Sequence, residues 1–580
     1  MSSKPLALIT AFGGINSAGR SSAHLSYKNL VFNSISEKEQ LEVLQDLAVM
    51  QGKIEPLGRT WETSSGDSID LKEFLTENSE GIRGDCMVRK LDRDIYDKDG
   101  IILDQIKASA AGQLPSGFDP SSLYPARQHP KALQMTVFGM GDALGQLGLS
   151  WKKVMDTISP DQIAVFSGAA IGQLDVFGFG GLMQSRIKGS RASSKNLALG
   201  LVEMSADFIN AYILGSVGRS GHNVGACATF LYNLQMGKEA IESGSARVVI
   251  VGGAEAPITP EIVDGFFAMS ALSDDKRMIE LQAQNNEDIS KGPIQERACR
   301  PFGNNVGMVL GESAQFIILM EDNLALELGA KIYGSVPSVA SHSDGYKSSI
   351  SGPGVGNYIT VARCVADAEK ILGTKQLRNQ TFVHAHGTGT PANRTTESHI
   401  LNEVAKTYGI SSWPVTGIKS FLGHSMAPAS GDQLVTALGT WNKGIIPGIR
   451  STDNIAEDVY DDNLNILLED KIEDKNHFSA AFLNAKGFGG NNASALILSP
   501  EKSKELLKQK HSKNKMKIYE ANVQEAKVKA EKHNKDCLKG NYNVVYKFNE
   551  NVLQGEADIK LSKGAISLKG YKNSIKLKKK

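Results

Sequence analysis

The sequence has no run of eighteen consecutive apolar residues, and its first residues do not combine a basic region with an apolar stretch. A membrane-spanning helix and a secretory signal are therefore not expected, and the expected location is cytoplasmic. Cysteine is scarce: Cys86, Cys227, Cys299, Cys364 and Cys537 are five among 580 residues, odd in number and far apart. Such spacing argues against a disulfide framework and a zinc ribbon, and no metal site is expected. The basic segments have few aromatic residues and no nucleic-acid-binding motif, so nucleic acid is not an expected partner. Net charge is only +1, but it is unevenly placed. Residues 501–580 hold 21 Lys, no Arg and 9 acidic residues, an excess of 12 positive charges that leaves residues 1–500 at −11.

What is present is an apolar content of 41% and a charged content of 22%, ordinary for a globular chain with a large core. At 580 residues it is too long for one ordinary core. The stretch Gly221-His222-Asn223-Val224-Gly225-Ala226-Cys227-Ala228-Thr229-Phe230 precedes a helical run, Leu231–Ser243. Gly225 and Ala226 suit a tight turn that sets Cys227 at a helix N-terminus, where orphan N–H groups favour a thiolate. A small buried hydrophobe is the other reading of a free cysteine. Two histidines follow in glycine-flanked loops: His386 in His384-Ala385-His386-Gly387-Thr388-Gly389-Thr390-Pro391, and His424 in Lys419-Ser420-Phe421-Leu422-Gly423-His424. A further turn, Asn484-Ala485-Lys486-Gly487-Phe488-Gly489-Gly490, falls between two strand-like runs.

Around these motifs the chain alternates strand and helix. Leu6–Thr10 predicts a buried strand. Residues 21–120, including a helix over Glu37–Gln51 and the charged run Asp92–Asp104, form a polar elaboration. Leu133, Val137, Met140, Ala143 and Leu147 predict a core helix over 132–149. Gln162–Phe166 and Arg247–Gly252 predict strands, with one buried helix over Leu197–Leu214. The alternation restarts near residue 330, with a helix over 358–371, a strand over 381–385, a helix over 431–441, and closing strands over 478–483 and 494–498. Beyond Pro500 a Lys-rich helical segment runs to about residue 535, and Tyr542–Phe548 and Ala557–Leu568 are strand-like. This basic extension reads as a solvated structural tail or as a docking surface for an acidic carrier protein.

The ordered motifs resemble those of the β-ketoacyl-acyl-carrier-protein synthases, the decarboxylating condensing enzymes: an Ala-Cys turn, His-Gly-Thr-x-Thr-Pro, Lys-Ser-x-x-Gly-His and Gly-Phe-Gly-Gly. Gly252-Gly253-Ala254-Glu255, Arg300-Pro301-Phe302 and Gly311-Glu312 support the likeness. The opening Ala7–Ser22 and the long segment before the first core helix are most similar to the FabY-type initiating synthases of gammaproteobacteria. The resemblance implies an α/β, thiolase-like fold: two similar halves in a layered α-β-α-β-α core, with N-terminal elaborations and a basic C-terminal extension. The halves would span 1–325, carrying Cys227, and 326–500, carrying both histidines, followed by the Lys-rich extension 501–580. It implies condensation of an acyl primer, acetyl-CoA in the initiating group, with malonyl-acyl carrier protein through an acyl-cysteine intermediate, in fatty acid synthesis. An elongating synthase that takes acyl carriers and a non-catalytic partner subunit are the alternatives. Retention of Cys227 with both histidines disfavours the second.

In that frame Cys227 is the nucleophile, and His386 and His424 stabilise the enolate. The N–H groups of Cys227 and Phe488 form the oxyanion hole, and Phe488 also gates. Lys419 supports the network, Thr388 and Thr390 bind the pantetheine arm, and Ile171 floors the acyl pocket. No cofactor is implied, because the substrates carry the phosphopantetheine. The implied partners are acyl carrier protein, acyl-CoA and a second copy of the chain in a homodimer. Departures are Phe230, a large residue expected to narrow the acyl entrance, Gln433 in place of a glutamate, Arg394 in place of an aspartate, and Lys486 in place of an aromatic. His222 and His384 are expected to be packed rather than catalytic.

Overall fold

The apolar opening forms strand β1 (Ala7–Asn16), buried along all of its length. The computed structural model describes residues 4–58, 60–92, 108–350 and 352–577, so 93–104 of the charged run lie outside the described residues. β1 starts a group of five strands with β2 (Ile163–Gly168), β3 (Ser220–Gly221), β4 (Val248–Glu255) and β5 (Ser313–Glu321). Their order in the sheet is β1-β5-β4-β2-β3. The first two pairings are antiparallel and the next two parallel. The second group is β6 (Gly334–Ser343), β7 (Thr381–His384), β8 (Trp413–Thr416), β9 (Leu464–Ile466), β10 (Ala480–Gly487) and β11 (Asn491–Leu498). It runs β6-β11-β10-β7-β8, with β9 added at the edge and the same succession of antiparallel and parallel pairings. The duplication is thus visible in topology, although not as sequence self-similarity. The groups join where Leu8 and Ile9 of β1 pair with Ser335 and Gly334 of β6.

Helices complete five layers. Between the groups lie α2 (Thr229–Glu242) and α5 (Ala429–Lys443), whose Leu231, Leu234, Leu434 and Leu438 share one apolar core with Val251, Ile317, Leu483 and Ala495 of the sheet. Outside the first group lie α1 (Lys131–Leu147) and α7 (Lys513–Cys537). Outside the second lie α3 (Gly356–Asn379) and α4 (Pro391–Tyr408). α6 (Pro500–Lys510) leads into α7. No single helix among the described residues is long and apolar enough to cross a membrane.

Three expectations are corrected. The single helix over 197–214 is broken into Ser194–Gly200, Met204–Phe208 and the π-helical Ile209–Leu214. At the break the carbonyls of Gly200 and Val202 turn to accept from Gln173 and Ala169 of the turn after β2, which a continuous helix would have consumed internally. Tyr542–Phe548 is not a strand but an irregular strap that sets Tyr542 edge-on to Phe138 and Tyr546 edge-on to His129. The helical part of the extension is also not a solvated tail, whereas most of residues 549–577 are exposed. α7 buries Met516, Tyr519, Val523, Ala526 and Ala530 at helical spacing against the core of the first group. Its Asn534 accepts from the wholly buried Arg20, which also pairs with Asp46 at 2.8 Å. α1 can be covered on this outer side because Gly141 and Gly145 leave room for the Asn543 carbonyl and the His533 ring.

Candidate active site

Gly225 and Ala226 do make the tight turn. Ala226 sits at φ +50°, the left-handed region that costs a non-glycine residue about 1 kcal/mol. The Thr229 hydroxyl locks it, accepting from Gly225 N–H at 3.0 Å and donating to the Ala226 carbonyl at 2.7 Å. Cys227 therefore enters the short helical turn that leads into α2, only 6% exposed. Its thiol is not the favoured thiolate expected of a helix N-terminus. Burial pushes it up to about 12, against the lowering influence of Lys419 and of the backbone N–H groups of Cys227 and Phe488. Desolvation of a sulfur anion outweighs the partial charge of one helix end.

His386 leaves the end of β7 and is clamped from below. The buried Glu397 on α4 accepts from the N–H groups of His386 at 2.6 Å and Gly387 at 2.9 Å, and from the amides of Asn393 and Asn484 at 2.9 and 2.7 Å. Lys419, also buried, donates its ammonium to the His386 carbonyl. His424 is fixed at its backbone by the Val309 carbonyl, 2.6 Å away, and at its ring by Met426 N–H. The latter bond ends on Nδ1, so the neutral ring carries its proton on Nε2, and that atom has no hydrogen-bond partner among the described residues. The two rings stand 5.4 Å apart and nearly perpendicular, at 85°. Burial first, then the charge of Lys419, holds both well below the ordinary histidine range, and both are neutral donors at neutral pH.

Cys227, His386, His424, Thr388, Thr390 and Phe488 line one cavity of about 350 Å³. The Thr388 and Thr390 hydroxyls lie 3.0 Å apart. Phe488 packs on Phe266, ring centres 5.7 Å apart, and is followed by Gly489 and Gly490 at φ +81° and +90°, which bend the chain back into β11. Three other expected residues are not on this wall. Lys419 stands behind His386. Ile171 packs in the apolar cluster that contains Cys227, Phe266 and Met308. Phe230 is wholly buried between α2 and α5, where its ring fills the space left by Gly431, so it cannot narrow an entrance.

The departures have structural accounts. Gln433 donates its amide to the carbonyls of Ala385 and Asn484, a neutral bridge. Arg394 holds Asp458 through two bonds of 2.7 and 3.0 Å. Lys486 lines the cavity, bonded to the Thr396 hydroxyl at 2.8 Å, and adds a second cation beside His386. Both extra histidines are packed: His222 bonds the Ala169 carbonyl, and His384 is buried on Phe382 without a ring partner. Sequence reasoning missed Glu255 as a tie between the halves. Its carboxyl, raised to about 7 by burial, accepts from Ala170 and Ile171 on one side and Ala427 on the other. The only signal for it was its place in Gly252-Gly253-Ala254-Glu255.

A duplicated sheet of this order, with a buried cysteine at a strained turn facing two neutral histidines, defines a thiolase-like condensing-enzyme scaffold. The β-ketoacyl synthase N-terminal domain family matches residues 64–325 and the C-terminal domain family residues 333–453. The chain belongs to the β-ketoacyl synthase family and is an acyltransferase of that kind. It is 40% identical to the β-ketoacyl-[acyl-carrier-protein] synthase FabY of Pseudomonas aeruginosa, over 99% of this chain and 98% of that protein. It is 29% identical to 3-oxoacyl-[acyl-carrier-protein] synthase 2 of Staphylococcus aureus, over 57% of this chain and 76% of that one. The crystal structure of the Pseudomonas aeruginosa ketosynthase FabY superposes with a TM-score of 0.94, covering 100% of this chain and 98% of the other.

Proposed function

We propose that the chain condenses an acetyl primer from acetyl-CoA with malonyl-acyl carrier protein, at the start of fatty acid synthesis, in the cytoplasm and as a homodimer. The convergence of Cys227 with two neutral histidines on one cavity, His424 offering an unpartnered Nε2–H, carries this reading. Similarity to the β-ketoacyl-[acyl-carrier-protein] synthase FabY along the whole chain supports condensation with an acyl carrier substrate, and the acetyl primer follows from the likeness of the opening segment to the initiating synthases.

The Cys227 sulfur attacks the acetyl thioester carbonyl. The bond to the CoA sulfur breaks, and the thiol proton goes to the departing CoA thiolate, leaving acetyl-Cys227. Malonyl thioester then enters past Thr388 and Thr390. Its carboxylate leaves as CO2, and the bonding pair passes into an enolate whose oxygen accepts from His386 and His424. The enolate carbon attacks acetyl-Cys227, and the N–H groups of Cys227 and Phe488 hold the tetrahedral oxyanion. Collapse expels the Cys227 thiolate, which takes one proton from solvent as the β-ketoacyl thioester departs, so that each condensation consumes one proton and releases one CO2. Lys419 and Glu397 keep the His386 loop in place throughout.

Intact-protein mass spectrometry after incubation with acetyl-CoA or longer acyl carriers tests this. An acetyl adduct on the wild type and none on Cys227→Ala is the expected result. Acylation by long acyl carriers alone replaces the primer reading with an elongating synthase, and no adduct from any donor refutes the acyl-cysteine mechanism.

A further inference from the structure

The C-terminal extension takes no part in the catalytic cavity, but it builds a second one. α6, α7 and the residues leading into β6 enclose about 190 Å³. Ile332, Met516 and Val523 give it an apolar floor, all three buried. Its rim carries four lysines, Lys331, Lys504, Lys508 and Lys527, against one carboxylate, Glu520.

Some neighbouring lysines of the same helices are paired, Lys502 with Glu505, Lys510 with Asp322 and Lys529 with Glu525, whereas among the described residues Lys515 of α7 bonds only the Asn323 amide oxygen. None of the four rim lysines has an ion pair among the described residues. Lys331 is half-buried, its ammonium 4.3 Å above the Tyr333 ring, and burial pulls its pKa down with no carboxylate to oppose the effect. A half-buried cation without a carboxylate, with the partly buried Lys504 and the exposed Lys508 and Lys527 gathered around the same apolar hollow, concentrates positive charge there. A ligand with one anionic head and a short hydrocarbon chain matches both features.

We propose that this cavity binds a medium-chain acyl anion, its carboxylate held among Lys331, Lys504, Lys508 and Lys527 and its chain laid on Ile332, Met516 and Val523. The site is separate from Cys227, and the proposal does not depend on the primer.

Isothermal titration of the full chain with decanoate and with inorganic phosphate tests it. An alkyl chain has a second possible place in the catalytic cavity, so variants decide between the two. Decanoate is expected to bind the wild type and Cys227→Ala equally. The triple variant Lys504→Gln, Lys508→Gln, Lys527→Gln is expected to lose about tenfold or more in affinity, as for charge-assisted bonds. Lys331→Met is expected to weaken decanoate binding while raising the melting temperature of the ligand-free protein, a pair of opposite effects that general destabilisation does not produce. Absence of decanoate binding, unchanged affinity in both lysine variants, or phosphate binding as tightly as decanoate overturns the proposal.

Discussion

The Nδ1 atom of His424 accepts from the backbone N–H of Met426 at 3.2 Å, and this one contact sets the tautomer of the ring. The proton is left on Nε2, unpartnered and buried, on the wall of the cavity that holds Cys227. A preorganised neutral donor costs no reorganisation when an enolate oxygen forms beside it. His424→Ala and His386→Ala should each lower malonyl decarboxylation by about 10²–10³-fold, read as CO2 release from malonyl thioester. Normal release from either variant removes that histidine from its role.

Cys227→Ala should abolish acyl transfer and condensation together. Cys227→Gln should lose condensation yet still release CO2 from malonyl thioester, because both histidines stay in place. Full condensing activity in Cys227→Ala would rule out the covalent route.

His384 gives a pH prediction for stability. Burial lowers it from 6.5 to about 3, and neither ring nitrogen has a partner. As pH falls below 6.5 the unfolded chain takes up a proton that the folded chain refuses, so stability is lost between 6.5 and about 3. At pH 5.5 this one group costs about 1.4 kcal/mol relative to neutral pH. His384→Leu should lack that loss. Urea unfolding at pH 7.5 and 5.5 measures it, and an identical pH dependence in both proteins contradicts the assignment.

Arg20 ties the extension to the core, pairing with Asp46 and Asp142 and bonding Asn534. Arg20→Met leaves the buried Asp46 without its cation, while Asp142 keeps its bond to His533, and should cost about 3–5 kcal/mol. Thermal unfolding checks this; a shift of under a degree would show that the network holds without it.

Much of the site was legible because its chemistry is local. Small residues around Cys227, glycines around His386, His424 and Phe488, and the order of the motifs are all properties of neighbours in the chain. The core helix over Lys131–Leu147 was equally plain from its apolar spacing. Phe230 was expected to narrow the entrance because it stands where the family usually has a small residue, whereas α2 turns that side chain toward Gly431 of α5. The extension was misjudged because its Lys-rich composition hides an apolar stripe at every third or fourth residue of α7.

The sequence by itself determined which residues carry chemistry and most of the helices and strands, since turn residues and apolar periodicity act over a few positions. Tertiary structure decided what those residues are. Burial makes Cys227 a thiol and both histidines neutral, Met426 selects the His424 tautomer, and Glu397 and Lys419 clamp His386 across the fold. Desolvation depends on the whole packed fold, and Glu397 and Lys419, 11 and 33 residues from His386 in the chain, reach it only once the second half has folded.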